Sequence, residues 1–151
     1  MKVHCQQTGE YLHYCAEALS VSIERVLQRA GLSVSVLLKP YAQVPAHAQF
    51  SLWMALVTEA DRPDAELILA LAAARGPVPP PMYALSCADT LALGLIRFSL
   101  LKTAVGPVTL IVRQSSAGVK IITDSTDHSA PLPARLGLAE LLYITECVRQ
   151  F

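Results

Sequence analysis

The chain has 151 residues, of which 53% are hydrophobic and 16% are charged, and its formal net charge is zero. This length is typical of a single domain with its own core. Binding to nucleic acid depends on cationic contacts to phosphate, so we expect no tight binding of duplex DNA by this chain alone.

The cysteines and the apolar runs of the sequence indicate the compartment in which the protein is expected to act. Four cysteines are far apart, without a Cys-x-x-Cys pair, and are expected to act as small hydrophobic side chains in a cytoplasmic protein. Polar residues after Lys2 do not form a signal peptide, and no uninterrupted apolar run is long enough to span a membrane. Residues 1–9 show no periodicity and are predicted to be a flexible arm, with one domain over 10–151.

The first half of the chain reads as helices. Apolar residues recur at helical spacing from Glu10 to Ala30, and Gly31 ends that segment. A short turn is predicted over Val34–Lys39. Two further helices are predicted. One extends over Ala46–Ala60 and is begun by Val44-Pro45, with the proline at the favoured first-turn position, and the other extends over Ala65–Ala74, with Asp64 as its cap.

The second half mixes strands with helices. The prolines at 77 and 79–81 indicate a connector, since proline fits neither a helix interior nor a central strand. A short strand is predicted at 82–87, then a helix over Thr90–Ala104. Two strands follow, Val108–Gln114 and Val119–Thr123, joined by a turn of hairpin length. A polar loop over 124–133 leads to a last helix over 134–151. The fold class is therefore α+β, with helices packed on a small antiparallel sheet.

Motifs for catalysis or metal binding are weak. His4, Cys5, His13 and Cys15 lack the paired spacing of zinc sites, so we expect no metal or other cofactor. Cys87 and His128 have no oxyanion-forming turn beside them, and Asp124 and Asp127 read as a solvated loop. We expect that the chain is not an enzyme.

Five residues are candidates for binding a ligand: Trp53, Tyr83, Ser86, Arg97 and Arg113. Arg97 stands out because it interrupts an apolar helix, where a charge must reach solvent, pair or face a ligand. The alternatives are a surface arginine at 97, core aromatics at 53 and 83, and an exposed strand-edge charge at 113.

Several segments resemble a known family. They are Leu27–Leu32, Val44-Pro45, Phe50–Trp53, Ala84–Leu91 and Gly106–Leu110. Together they are similar to the N-terminal, arabinose-binding-like regulatory domain of AraC-type bacterial transcription regulators, over about Leu19 to Phe151. The resemblance implies a cytoplasmic domain that binds a small-molecule effector, dimerises and controls a C-terminal helix-turn-helix domain. DNA binding would belong to that domain, which we do not find in this sequence.

Two functions from different classes follow. The first is an effector sensor whose pocket lies between the helices carrying Trp53 and Arg97 and a sheet that includes 83–86, with Arg97 as the anchor. The alternative is a protein–protein interaction module without a ligand. On the last helix, Ile144, Cys147 and Phe151 form a second apolar stripe that requires a cover. This cover could be further chain beyond residue 151, the domain's own core or a second copy of the protein. We predict the second copy, in a homodimer.

Overall fold

The structure is a computed structural model that describes residues 2–4, 8–38, 43–76 and 79–150. Within these residues the chain forms short paired strands and a larger set of helices. In chain order they are β1 (Lys2–His4), α1 (Thr8–Leu19), α2 (Ile23–Ala30), α3 (Ser35–Leu38), β2 (Gln43–Pro45), α4 (Ala46–Ala60), α5 (Ala65–Arg75), α6 (Pro80–Ser86), α7 (Leu91–Val105), β3 (Val108–Ser115), β4 (Gly118–Ser125) and α8 (Ala134–Arg149).

Both sheets are antiparallel and two-stranded. β3 and β4 form the hairpin that the sequence predicts, from the pair Val108↔Ser125 at its base to Ser115↔Gly118 at the turn. Gly118 adopts a φ of 134°, which side chains rarely tolerate. β1 pairs with β2, from Lys2↔Pro45 to His4↔Gln43, so part of the predicted N-terminal arm forms a strand. The α+β class is confirmed.

The core consists of two hydrophobic clusters that share helix α4. The first joins α1, α2, α4 and the start of α5 around Leu12, Val26 and Leu56. The second joins the end of α5 to α6, α7, β3 and α8 around Phe98 and Ile144. Trp53 and Met54 pack against both clusters, which makes α4 the central helix of the domain.

The predicted helix over Glu10–Ala30 is wrong, because it is two helices. Ser20 adopts a left-handed φ of 57°, and the Val21 amide donates to the Ala16 carbonyl in a helix-ending pattern. Ser22 then caps α2 by accepting a hydrogen bond from the Arg25 amide. The apolar spacing continues across this break, so periodicity alone does not detect it.

The predicted strand at 82–87 is also wrong, and so is the assignment of Pro80 and Pro81 to a connector. Both prolines occupy the first turn of α6, where a helix needs no amide donor from them. Helix α6 then packs against α7 in place of a third strand. None of the described helices is long and apolar enough to cross a membrane.

Candidate functional site

Three of the predicted ligand residues lie together on the outer surface of α6 and α7. Tyr83 is 60% exposed, and the Ser86 hydroxyl donates to the Tyr83 carbonyl at 3.2 Å. Arg97 is exposed, and its Nη1 donates to the Cys87 carbonyl at 3.2 Å. The guanidinium therefore holds the α6–α7 turn. Since 83–86 is helical, the predicted pocket between a strand there and the Arg97 helix does not form.

The other two candidates are elsewhere. Trp53 is half-buried in α4, with its ring edge-to-face to Tyr11 at a centroid distance of 5.7 Å. Arg113 is exposed on β3 directly opposite Lys120. No hydrogen bond or ion pair among the described residues connects Trp53 or Arg113 to the surface around Arg97.

The apolar stripe predicted on the last helix is largely internal. Ile144 is 2% exposed and Cys147 is equally buried, both within the second core cluster. The cover that this stripe requires is the domain's own core, which corrects the proposed dimer contact through these two side chains. Phe151 lies outside the described residues. A homodimer stays a prediction.

The buried cysteines have the role that the sequence predicts. Cys15 and Cys147 are packed in the two clusters, and burial raises their pKa values to about 12 and about 11. Both thiols are therefore protonated at neutral pH and are poor nucleophiles.

Beside Cys147, the Lys102 Nζ lies 2.6 Å from Glu140 Oε1 and 5.3 Å from the centre of the Tyr143 ring. These contacts fasten α7 to α8.

Two grooves lie end to end along one face of α4. The larger has a volume of about 380 Å³, and the smaller about 280 Å³. We call them together the α4 trough. The larger groove is lined by His47, Phe50, Ser51, Met54, Ser129, Ala130, Pro131 and Pro133. The smaller is lined by Val57, Thr58, Asp61, Arg62, Pro63 and Arg135.

Helical periodicity explains how α4 forms one wall of the trough. The lining positions 47, 50, 51, 54, 57, 58 and 61 recur at spacings of three and four, so they share one face. At 1.5 Å per residue, they extend over about 21 Å. The opposite wall is the continuous segment 129–135, which includes the start of α8.

Hydrogen bonds hold the segment that leads into the second wall. The Ser125 hydroxyl accepts from the Asp127 amide at 3.1 Å and donates to the Asp127 carbonyl at 3.0 Å. Asp127 Oδ1 accepts from the Ser129 hydroxyl at 2.6 Å and from the Ser129 amide at 2.9 Å. These two bonds, the hydroxyl first, lower the pKa of Asp127. The hydroxyl proton of Ser129 is therefore engaged, and its oxygen remains free to accept.

The smaller groove is the charged end of the trough, and both of its arginines are paired. Arg62 donates from Nε and Nη2 to Asp64 at 2.6 and 3.0 Å, and Arg135 pairs with Glu66. These hydrogen bonds lower the pKa values of Asp64 and Glu66. Asp61 also lines this end, and within the described part of the chain its carboxylate has neither a hydrogen bond nor an ion pair.

Sequence reasoning missed the trough. It predicted 124–133 to be a polar loop and assigned it no partner on α4. One signal was present: the spacing Pro131-Leu132-Pro133 forces an extended segment directly before a helix, which is suited to lie across another element. The partner of that segment is not visible in the sequence.

A comparison with protein families matches residues 21–149 to the model of the N-terminal arabinose-binding domain of AraC transcription regulators. The chain belongs to this family. The predicted resemblance is confirmed, and the match covers α2 to α8, including both walls of the trough. Membership gives this AraC-type domain a regulatory, ligand-sensing role. A search among curated proteins gives no match.

Proposed function

We propose that this AraC-type domain senses a small-molecule effector in the α4 trough and controls an attached helix-turn-helix domain that binds DNA. The observation that supports the site is its composition. The larger groove combines Phe50, Met54 and two prolines with the polar groups of His47, Ser51 and Ser129. Its volume falls in the range of small-molecule sites, about 300–1,000 Å³. In this proposal the domain has no catalytic role and acts in the cytoplasm.

The trough also offers a physical route for regulation. One wall is the central helix α4, and the other continues into α8. A ligand that contacts both walls stabilises conformations in which they are close together. It would shift the population toward that arrangement by its difference in affinity. The orientation of α8 is the output that we propose.

The family description names arabinose, which makes arabinose one compound to test. A sugar requires many convergent hydrogen bonds, because an unpaired hydroxyl loses free energy on leaving water. The larger groove offers few such groups beside its apolar lining. We therefore propose that a screen should extend to metabolites with an apolar body.

The test is a thermal-shift screen, because a ligand selective for the native state raises the unfolding temperature by mass action. We expect a hit with the unmodified protein that is lost when Ser51→Trp fills the trough. The control is Ser86→Trp, which adds the same bulk at an exposed helical serine beside Tyr83 and Arg97. If Ser86→Trp abolishes the shift and Ser51→Trp does not, the effector binds at the α6–α7 surface, which carries three of the five predicted ligand residues.

One observation favours the second candidate, a protein–protein module. The outer face of α7 carries Ile96 and Leu100, and Leu100 is 72% exposed. Large contiguous apolar patches on a protein surface often mark interfaces. We propose that the domain forms a homodimer through this face. Sedimentation of variants with charged residues on this face tests it.

A further inference from the structure

The polar groups that line the α4 trough fall into two sets: His47, Ser51 and Thr58 can donate as well as accept, whereas the serine and charged groups of the second wall and the C-terminal end are already engaged, except for Asp61. Ser129 donates its hydroxyl proton to Asp127, so its oxygen can only accept from a ligand. Arg62 donates from two nitrogens to Asp64, and Arg135 is paired with Glu66. Asp61 is the lining carboxylate without such a partner in the described part of the chain.

The side-chain charges at the C-terminal end of the trough sum to a negative value. Asp61, Asp64 and Glu66 contribute three negative charges against the two positive charges of Arg62 and Arg135. Each arginine is compensated by its own carboxylate, and the remaining charge is that of Asp61. A positive group on the ligand would be attracted to Asp61, whereas an anion would meet arginines whose charge is already compensated by Asp64 and Glu66.

The middle of the trough has the opposite character. Phe50, Met54, Pro131 and Pro133 line the larger groove, and the fully buried Val57 lies beneath the smaller one. The face extends over about 21 Å, which matches an elongated molecule better than a compact one. Burial of an apolar body there would contribute affinity in proportion to the area removed from water.

We infer that the effector class of the trough is an amphipathic amine, with an apolar body between α4 and residues 130–133 and a cationic head near Asp61. This inference rests on the proposed function, since it names the ligand of the same site. Complementary charge fixes the direction of the ligand: the head lies at the C-terminal end of α4, and the body extends toward His47.

Three ligands with the same chain and different heads test this class: octylamine, octanol and octanoate. Methionine methyl NMR reports the site, because Met54 lines the trough and Met82 lies on α6. We expect octylamine to shift the Met54 methyl resonance saturably and to leave Met82 unchanged. Because an exposed ion pair contributes little free energy, we expect the Kd of octylamine to be lower than that of octanol by on the order of two- to fivefold. Octanoate should bind most weakly of the three ligands.

The variant Asp61→Asn isolates the charge. Asp61 has a left-handed φ of 44°, and asparagine accepts that conformation, so the fold should be kept. We expect the variant to bind octylamine and octanol equally and to bind octanol as the unmodified protein does. Asp89→Asn, an exposed position between α6 and α7, is the charge-matched control and should keep the preference for octylamine.

Other results would contradict either the ligand class or the position of its cationic head. If the three ligands bind equally, or octanoate binds best, the class is wrong and the trough remains a site. If Asp61→Asn keeps the preference, the head does not lie where we place it. If none of the three moves Met54 while a screened effector does, the class is wrong and the location stands; if the screened effector stabilises the protein without moving Met54, the proposed location fails as well.

Discussion

Gly94 and Gly137 both lie inside helices, but their surroundings differ. A Cβ added at Gly94 would lie 2.9 Å from the Leu85 carbonyl oxygen and 2.9 Å from Leu85 Cδ1, closer than real contacts allow. Gly94 therefore permits α7 to approach the end of α6. At Gly137 the nearest atom to an added Cβ would be Thr123 Oγ1 at 3.5 Å, an ordinary contact.

The two glycines should respond oppositely to the same substitution. Gly94→Ala should lower the free energy of unfolding by about 1–3 kcal/mol, the usual cost of overpacking against fixed backbone. Gly137→Ala should raise it by up to about 1 kcal/mol, because alanine is the better helix former. Urea denaturation followed by circular dichroism measures both. A stabilised Gly94→Ala protein would contradict the close α6–α7 packing.

At the scale of the element, α8 shows how one helix separates buried from exposed positions. Ile144 and Tyr143 face the second core cluster, whereas Leu138 is 52% exposed on the other side. Glu140 lies on the buried side of α8, where it pairs with Lys102 of α7. The helix therefore docks on its own domain through the stripe that the sequence assigned to a second copy.

Alanine substitutions on α8 should separate its two faces. Ile144→Ala should cost about 2–5 kcal/mol of unfolding free energy, because it removes buried methylenes and leaves a cavity. Leu138→Ala should change it by no more than about 0.5 kcal/mol, as is usual for surface positions. Denaturation midpoints at constant m-value provide the comparison. Equal costs at the two positions would mean that α8 is docked in a different orientation.

For the whole molecule, the unusual surface is that of α7. The helix has two charged residues, and Lys102 is directed inward to Glu140 and Tyr143. Arg97 is thus the charged residue of its outer side, where Ile96 and Leu100 are exposed. A helix that is apolar all round is normally covered on every side, so a second copy on the exposed face would complete the pattern.

Disrupting this face should give a folded monomer. We expect the unmodified chain to sediment as a dimer at tens of micromolar and the double variant Ile96→Glu, Leu100→Glu to sediment as a monomer with an unchanged circular dichroism spectrum. Leu138→Glu, an exposed leucine on α8, is the matched control and should stay dimeric. A monomeric unmodified chain, or a dimer that survives the double variant, would exclude the α7 face as the interface.

Local features of the sequence determined much of the fold. Helical spacing and the break at Gly106-Pro107 predicted a helix over Thr90–Ala104, within a residue of the observed bounds of α7, although the structure makes Thr90 the N-cap. Alternation and the turn predicted at 115–118 located the hairpin of β3 and β4, whose strands extend one residue further into that turn on each side. These signals are local, since a cap, a turn or a periodic face depends on residues close in the chain. The zero net charge likewise supported the expectation of no DNA binding by this chain alone.

Tertiary structure decided the features that depend on distant residues. Ile144 is covered by the second core cluster, and residues 129–135 meet α4 across some eighty positions of sequence. The residues 82–86 form a helix because α7 offers them a packing surface at Gly94, which outweighs their ambiguous local pattern. An apolar side chain carries no record of which neighbour covers it, because the hydrophobic effect has no direction. For this reason the sequence identified the regulatory family, while the trough became visible only after α4 and the segment before α8 were brought together.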